Sequence, residues 1–246
     1  ALEPLLVAPP ACDPRDRLDL LIRLFLLGEY VGEVHIASMI PGLVLAGFRA
    51  LGLLAQHSSK SEEFYSPIAL YPTQGLFIAS DRWSNPDRSP LVSFADIVYP
   101  AITRNTRSFL ALLPLEPCER FLELCSGTGI ASLVAASRFA QHAWAIDITA
   151  RASEFAEFNR RLNGLSNLTV AEGDLYEPVR RRSFDRVVAH PPYMPSCSAA
   201  EIYYDGGEDG EQVTRRVIAG LPDYLQSGGR FYSLALATER DAEAFE

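Results

Sequence analysis

From residue 120 onward the hydrophobic and polar positions alternate between two periods. Arg120-Phe121-Leu122-Glu123-Leu124 reads as a buried strand, and Gly129 to Phe139 as a helix. Ala143 to Ile146 is the next strand, followed by a helix from Arg151 to Leu162 that Asn163-Gly164 closes. Leu168 to Ala171 and Phe184 to Ala189 are further strands. A helix from about Glu211 to Leu225 then leads through a Gly228-Gly229 turn to a last strand, Arg230 to Ala237. The order β-α-β-α-β-β-α-β predicts an α/β fold with a doubly wound parallel sheet.

The first third is patterned differently. Asp13-Pro14-Arg15-Asp16 is a helix start, with a capping Asp, a Pro suited to the first helical position and an acid in the positive first turn. That helix is expected to end at Gly28. Helices over Glu33–Met39 and Pro41–Leu54 follow, then a hairpin of 66–71 and 76–80 turning at Gly75. Three helices and a hairpin predict a small winged-helix-like α+β domain. Its third helix carries only Arg49 as a charge and reads as a packing helix, not a DNA-reading one. Residues 83–90 read as a loop and 100–113 as a linking helix. The expected domains are 1–96, a linker over 97–116, and 117–246.

Composition narrows the function classes. Among 246 residues, 48% are hydrophobic and 22% charged, which excludes a disordered chain. The 31 acidic and 22 basic residues give a net charge of −9, against a nucleic-acid partner held through its phosphates. Arg180-Arg181-Arg182, the one dense basic run, reads as a solvated loop. Cys12, Cys118, Cys125 and Cys197 lack metal-finger spacing and do not form a secreted disulfide pattern, so a reducing, cytoplasmic setting and no metal are expected. No apolar run reaches the length of a membrane span. The sequence starts at Ala1 and stops at Glu246 in what reads as the first turn of a helix, so it is expected to be a truncated product or one whose sheet edge is finished differently.

Four segments carry chemistry, each at the carboxyl end of a predicted strand, where open α/β sheets bind ligands. Glu123-Leu124-Cys125-Ser126-Gly127-Thr128-Gly129 is a strand-to-helix turn whose glycines allow close backbone approach. Asp147, with Ile148 beside it, ends the second strand at the spacing from Gly127 expected of a ribose-binding acid. Gly173-Asp174-Leu175 offers an acceptor for an adenine amine and an apolar face for its ring. His190-Pro191-Pro192-Tyr193 is a stiff turn with fixed carbonyl directions and an aromatic face. A dinucleotide is disfavoured: the third glycine of that fingerprint is replaced by Ser132, and Glu123 would repel a pyrophosphate. A sulfonium cofactor with an α-ammonium suits the carboxylate instead.

Together the segments resemble class I methyltransferases that use S-adenosyl-L-methionine, with a Rossmann-like domain. The His190-Pro191-Pro192-Tyr193 segment is similar to the Asn/Asp-Pro-Pro-Tyr motif of adenine N-methyltransferases and release-factor glutamine methyltransferases. Tyr204-Asp205-Gly206-Gly207-Glu208-Asp209-Gly210 resembles the Asp-Gly-Gly-x-x-Gly segment of the latter. The N-terminal part more closely resembles the extra domain of a "small-domain" methyltransferase group. The resemblance implies that Glu123, Ser126, Gly127, Thr128, Gly129, Asp147, Ile148, Asp174, Leu175 and His190 bind the cofactor, and that His190, the Pro191 carbonyl and Tyr193 line the acceptor.

Three departures stand out: Cys125 in place of a glycine, no final antiparallel hairpin, and His190 in place of Asn/Asp. A neutral imidazole offers one acceptor where a carboxamide pattern needs two, but it can take a proton, so His190 is expected to act as a general base or as a positioning group. His35, His57 and His142 read as structural. The connection Met194–Gly210 is expected to be a lid and Thr103–Arg107 to cover the cofactor. The expected acceptor is a nitrogen or other nucleophile of a small molecule or protein side chain. An adenine N-methyltransferase, a non-catalytic SAM-fold protein and a SAM-using enzyme without methyl transfer remain alternatives.

Overall fold

The computed structural model describes residues 13–58, 60–86, 94–196 and 201–236. The chain divides into two compact units, one of residues 1–71 and 81–92, the other of 72–80 and 93–246.

In the first unit, helix α1 (Arg17–Leu21) starts where the Asp16 carboxylate accepts the Asp19 N–H at 2.8 Å. Contrary to the single helix expected from residue 13, it continues as a wider π-helical stretch over Ile22–Leu27 and ends at Gly28, with φ +72°. The conformation there also admits the Arg82 guanidinium, which a Cβ on residue 28 would strike. Arg82 donates to the Leu24, Phe25 and Ser66 carbonyls, and burial depresses its pKa to about 10. Helix α2 (Glu33–Met39) falls where the pattern placed it, and α3 (Gly42–Ala50) is shorter than expected. None of the α3 side chains is fully buried and Leu43 is 88% exposed, so the expected packing helix packs by one edge only, through Leu45 and Phe48. Three short strands, β1 (Val31–Gly32), β2 (Ala55–Gln56) and β3 (Glu63–Tyr65), form an antiparallel sheet in the order β1-β3-β2. They are too short for a period-two pattern to reveal. The core is Leu20, Leu24, Phe25, Val31, Ile36, Ile40, Leu54 and Phe64.

The predicted hairpin exists as β4 (Ile68–Thr73) and β5 (Leu76–Asp81), a separate two-stranded sheet turning through Gln74 and Gly75, both at positive φ. Its tip, residues 72–80, clusters with the second unit.

The second unit is the α/β domain. Helix α4 (Arg104–Ala111) opens where the Thr103 hydroxyl accepts the Thr106 N–H at 3.2 Å. Strands β6 (Cys118–Leu124), β7 (Ala140–Asp147), β8 (Leu168–Glu172), β9 (Phe184–Ala189) and β10 (Leu225–Ser233) form one parallel sheet in the order β10-β9-β6-β7-β8. Helices α5 (Ile130–Arg138), α6 (Ala150–Leu162) and α7 (Gln212–Tyr224) make the crossovers. The expected Gly228-Gly229 turn is instead an irregularity inside β10, where the register against β9 shifts between Leu225 and Arg230. The strand therefore begins five residues earlier than expected, and Ala237 lies outside the described residues.

Central strands are apolar on both faces because helices cover both. Phe121, Leu122, Leu124, Phe184, Val187, Val188 and Ala189 are all at 0% exposure. At the amino end Asp185 pins β9 to β6, its two oxygens accepting the Glu119 and Arg120 N–H groups at 2.7 and 3.0 Å. The chain leaves β6 toward β7 on one side and returns to β9 on the other, so the strand order reverses between β6 and β9, and a crevice lies outside their carboxyl ends. Phe184 is fully buried with its ring edge-on to Trp144 at 5.3 Å. Phe184→Ala is expected to destabilise the chain by about 3–5 kcal/mol in denaturant titration.

Candidate active site

A cavity of about 520 Å³ opens at that crevice, within the size range of small-molecule sites. All four sequence-predicted segments line it: Glu123 and Cys125 to Thr128, Asp147 and Ile148, Asp174 and Leu175, and His190 to Tyr193. Gly129 lies just behind, its Cα so close to α6 that an added Cβ would sit 3.1 Å from the Ala156 Cβ.

The chain reverses from β6 into α5 through residues at positive φ: Cys125 (+55°), Gly127 (+50°) and Gly129 (+76°). Glycine takes this conformation freely, whereas Cys125 takes it at a cost of about 1–2 kcal/mol. An added Cβ on Gly127 would meet nothing within 4 Å, so the loop presents bare backbone to the cavity. The Ser126 hydroxyl is buried there with no hydrogen-bond partner among the described residues.

Asp147 fastens this loop across the sheet. One of its oxygens accepts the Gly127 N–H at 2.8 Å, and the other accepts the Thr149 N–H and hydroxyl at 3.1 and 3.3 Å. Burial raises its pKa, against the pull of these bonds. Glu123 is 2% exposed and accepts the Ala131 and Ser132 N–H groups at 3.2 and 2.7 Å. Its carboxylate is thus turned toward the first turn of α5, the positive end of the helix dipole. Burial nevertheless pushes its pKa up to about 7.

Asp174 is met by Arg216 of α7, whose guanidinium donates to its carboxylate at 2.5 Å. Leu175 follows in the left-handed conformation, and Ile148 stands exposed at the rim. The His190 ring lies between Phe109 of α4 and Tyr193, with centroids at 5.2 and 5.8 Å. In this aromatic enclosure burial lowers its pKa to about 4. The Tyr193 hydroxyl accepts a bond from the Asn105 amide at 2.7 Å.

The segment after Tyr193 is fastened at both ends. The Met194 N–H donates to the Tyr204 carbonyl, and Gly206 returns a bond to the Met194 carbonyl, both at 2.9 Å. Tyr203 stacks on Tyr99 at 5.1 Å, and the Ile202 N–H reaches the Ala95 carbonyl at 2.8 Å. Gly206 and Gly210 explain the glycine motif: a Cβ on Gly206 would be 2.4 Å from the Gly210 carbonyl oxygen, and one on Gly210 2.7 Å from that of Tyr193. The motif is thus a backbone bed for the Pro-Pro-Tyr turn.

Arg216, Asn105, Phe109 and Tyr99 also line the cavity. Asn105 lies in the stretch expected to cover the cofactor, but the other three sit in no motif and gave no sequence signal. The remaining histidines stand elsewhere: His35 faces Asp13 at 3.1 Å, His57 accepts the Lys60 N–H, and His142 shares a hydrogen bond with Thr169. Among the described residues no cluster of His, Cys, Asp or Glu could hold a metal ion.

A parallel sheet with a glycine turn after its central strand, an acid after the next and a Pro-Pro-Tyr turn after the strand across the crevice defines the class of SAM-dependent methyltransferases. Residues 100–243 match the family described as "Methyltransferase small domain", and the chain belongs to it. Its cofactor is S-adenosyl-L-methionine. Residues 3–63 match a second family, described as a domain of unknown function. A ribosomal protein uL3 glutamine methyltransferase of Bradyrhizobium diazoefficiens is 34% identical over 140 residues, 52% of this chain and 44% of that protein. A release factor glutamine methyltransferase of Xylella fastidiosa is 32% identical over 121 residues, 45% of this chain and 44% of that protein. The matched segment spans only about half the length of these relatives. Among solved structures, Methanocaldococcus jannaschii TYW2 in complex with AdoMet is 17% identical, with a TM-score of 0.37, covering 50% of each chain.

Two outcomes follow from this geometry. Gly210→Ala places a Cβ against the Tyr193 carbonyl at φ +79° and is expected to cost more than about 2 kcal/mol in thermal or chemical unfolding. His190 stays neutral in the folded chain down to about pH 4, whereas its ordinary value is 6.5. The unfolded chain therefore takes up a proton that the folded chain refuses, and the stability contributed by neutral burial is lost as pH falls from about 6.5 to 4. His190→Asn is expected to flatten that part of the profile of melting temperature against pH.

Proposed function

We propose that this chain transfers a methyl group from S-adenosyl-L-methionine to the side-chain amide nitrogen of a protein residue, glutamine in the first instance. The observation that carries the reading is the His190-Pro191-Pro192-Tyr193 turn, set at the cavity across the crevice from the glycine loop. Family membership and the names of the two glutamine methyltransferase relatives support it.

The cavity suits the cofactor. Bare backbone at Gly127, the unpartnered Ser126 hydroxyl and carboxylates at Asp147 and Asp174 form a cradle for a polar, cationic nucleoside derivative. Gly127, Thr128 and Gly129 approach its methionine part, Asp147 beside Ile148 its ribose, and Asp174 with Leu175 its adenine. Arg216 holds one Asp174 oxygen and leaves the other to accept. Glu123, anchored in the α5 turn, supplies negative charge beneath the ammonium, so the role expected for it becomes indirect. The cofactor supplies a methyl group already activated by positive sulfur; aligning the nucleophile and excluding water are left to the protein.

A group that binds a proton only below about pH 4 is a poor base for an amide or an amine at neutral pH. The positioning role of His190 is therefore preferred over the general base. Its neutral ring accepts one N–H of the carboxamide and the Pro191 carbonyl accepts the other, while Tyr193, held by Asn105, flanks the nitrogen. An adenine in nucleic acid is disfavoured by the lining itself: Asp96, Asp147, Asp174 and Asp205 face a polyanion, and Arg216 is engaged with Asp174. Among the described residues no helix is long and apolar enough to cross a membrane. Cys118 and Cys125 are free thiols, and Cys12 and Cys197 lie outside the described residues.

Incubation with methyl-labelled cofactor and a size-fractionated extract tests the reading. Label in protein, recovered as N-methylglutamine after digestion, is the expected result. Label in RNA or DNA restores the adenine alternative, cofactor consumption without an acceptor points to chemistry other than methyl transfer, and failure to bind cofactor leaves a non-catalytic SAM-fold protein. His190→Asn is expected to keep or raise activity with a flat rate profile between pH 6 and 9; a loss of more than about a hundredfold would restore the general base. Asp147→Ala is expected to weaken cofactor affinity roughly tenfold or more by calorimetry.

A further inference from the structure

Two asparagines one turn apart, Asn159 in the last turn of α6 and Asn163 at its C-cap, both face the hairpin tip. The Asn163 carboxamide accepts the Phe77 N–H at 2.9 Å and donates to the Phe77 carbonyl at 2.7 Å. Asn159 does the same with Ala79, accepting its N–H at 2.7 Å and donating to its carbonyl at 3.0 Å. A side-chain amide has the donor and acceptor of a peptide group, so the pair substitutes for a neighbouring strand along the edge of β5 not paired with β4. The spacing matches: alternate strand residues lie about 6.6 Å apart and helix positions i and i+4 about 6 Å apart. Arg138 of α5 adds a third tie, to the Gln74 carbonyl at 2.5 Å.

Asn159 is the more deeply buried of the two, and they differ in their third bond. The remaining N–H of Asn163 goes to the Asn159 carbonyl within α6, at 2.8 Å. That of Asn159 goes to the Thr128 carbonyl of the glycine loop, at 3.1 Å. Asn159 is at 0% exposure, and both its polar atoms are engaged, so its amide can neither flip nor turn away. Thr128 lies between the two left-handed glycines, and the direction of its carbonyl fixes where the neighbouring backbone points.

We propose that Asn159 is a positioning residue for the cofactor, oriented by β5 and in turn holding the glycine loop at Thr128. On this view the hairpin tip is a working part of the cofactor site, although it lies outside the residues, 100–243, that match the methyltransferase family. The inference rests on the reading of the cavity as the cofactor site. A residue that only held the hairpin down would affect stability alone, and Asn163, with the same hairpin bonds and no loop bond, is its internal control.

The experiment compares Asn159→Ala, Asn159→Asp and Asn163→Ala in the full chain, by calorimetric titration with S-adenosylhomocysteine and by thermal unfolding. Asn159→Asp keeps the acceptor for Ala79 and loses both donated bonds. Both Asn159 variants are expected to bind roughly tenfold more weakly, the counterpart of about 1.4 kcal/mol, with KM for the cofactor rising more than kcat falls. Asn163→Ala is expected to lower the melting temperature while its affinity stays within about twofold of the parent. Equal affinity in all three overturns the proposal, as does an equal loss of affinity in Asn163→Ala, or failure of both Asn159 variants to fold. If the parent chain does not bind S-adenosylhomocysteine, the cofactor reading itself falls.

Discussion

Strand β6 ends at Leu124 in the middle of the sheet, and within five residues the chain must reverse into helix α5. A side chain on the inner face of that reversal would fill the space a ligand needs, and the backbone passes three times through the left-handed region. Inside the loop the Gly129 N–H closes on the Ser126 carbonyl at 2.7 Å, and further support comes from β7, where the Ile146 carbonyl accepts the Ser126 N–H at 3.0 Å. Asp147, arriving at the end of the neighbouring strand, accepts the Gly127 amide, and the parallel register of β6 against β7 places it there. The cavity and the cradle of polar groups around it depend on this bond, because the loop is what turns the sheet's edge into a concave surface.

The second constraint is electrostatic. Among the described residues the cavity gathers several carboxylates and the Arg216 guanidinium, and burial raises the proton affinity of Glu123 and Asp147. An enclosure of that kind resists holding full negative charge until something positive enters it. Hydrogen bonds from α5 to Glu123 and from Thr149 to Asp147 offset part of the cost in advance. The side around His190 is the reverse case, where burial among aromatic rings holds its pKa well below the usual histidine value. One cavity thus has a carboxylate-rich half, proposed for the cofactor, and an aromatic half, proposed for the acceptor.

Glycines are spent where backbones touch. Gly206, Gly210 and Gly129 each lie within van der Waals distance of another segment, and a methyl group at any of them would press on atoms that cannot yield. Among the described residues Gln74, Cys125, Leu175 and Arg181 enter the left-handed region without being glycine, and two of these, Cys125 and Leu175, line the cavity.

Most of the α/β domain was legible along the chain. Buried parallel strands are continuous apolar runs, their helices have period 3.6, and turns are marked by glycine, so order and type were readable, and with them the four segments that meet at the crevice. The N-terminal strands of two or three residues were not, because no periodicity can show in so short a run. Nor was the start of β10, since a Gly-Gly pair signals a turn as readily as a bulge. Local pattern marked the hairpin but not what its tip meets, and it gave no sign of the parts played by Arg216, Phe109 or Asn159. Their importance comes from meeting residues roughly 30 to 80 positions away, and such meetings are set by how the crossovers stack on the sheet, a property of packing and not of any single segment. His190 marks the boundary: its identity and strand-end position were plain from the residues, but its protonation was decided by the rings that tertiary folding brought around it.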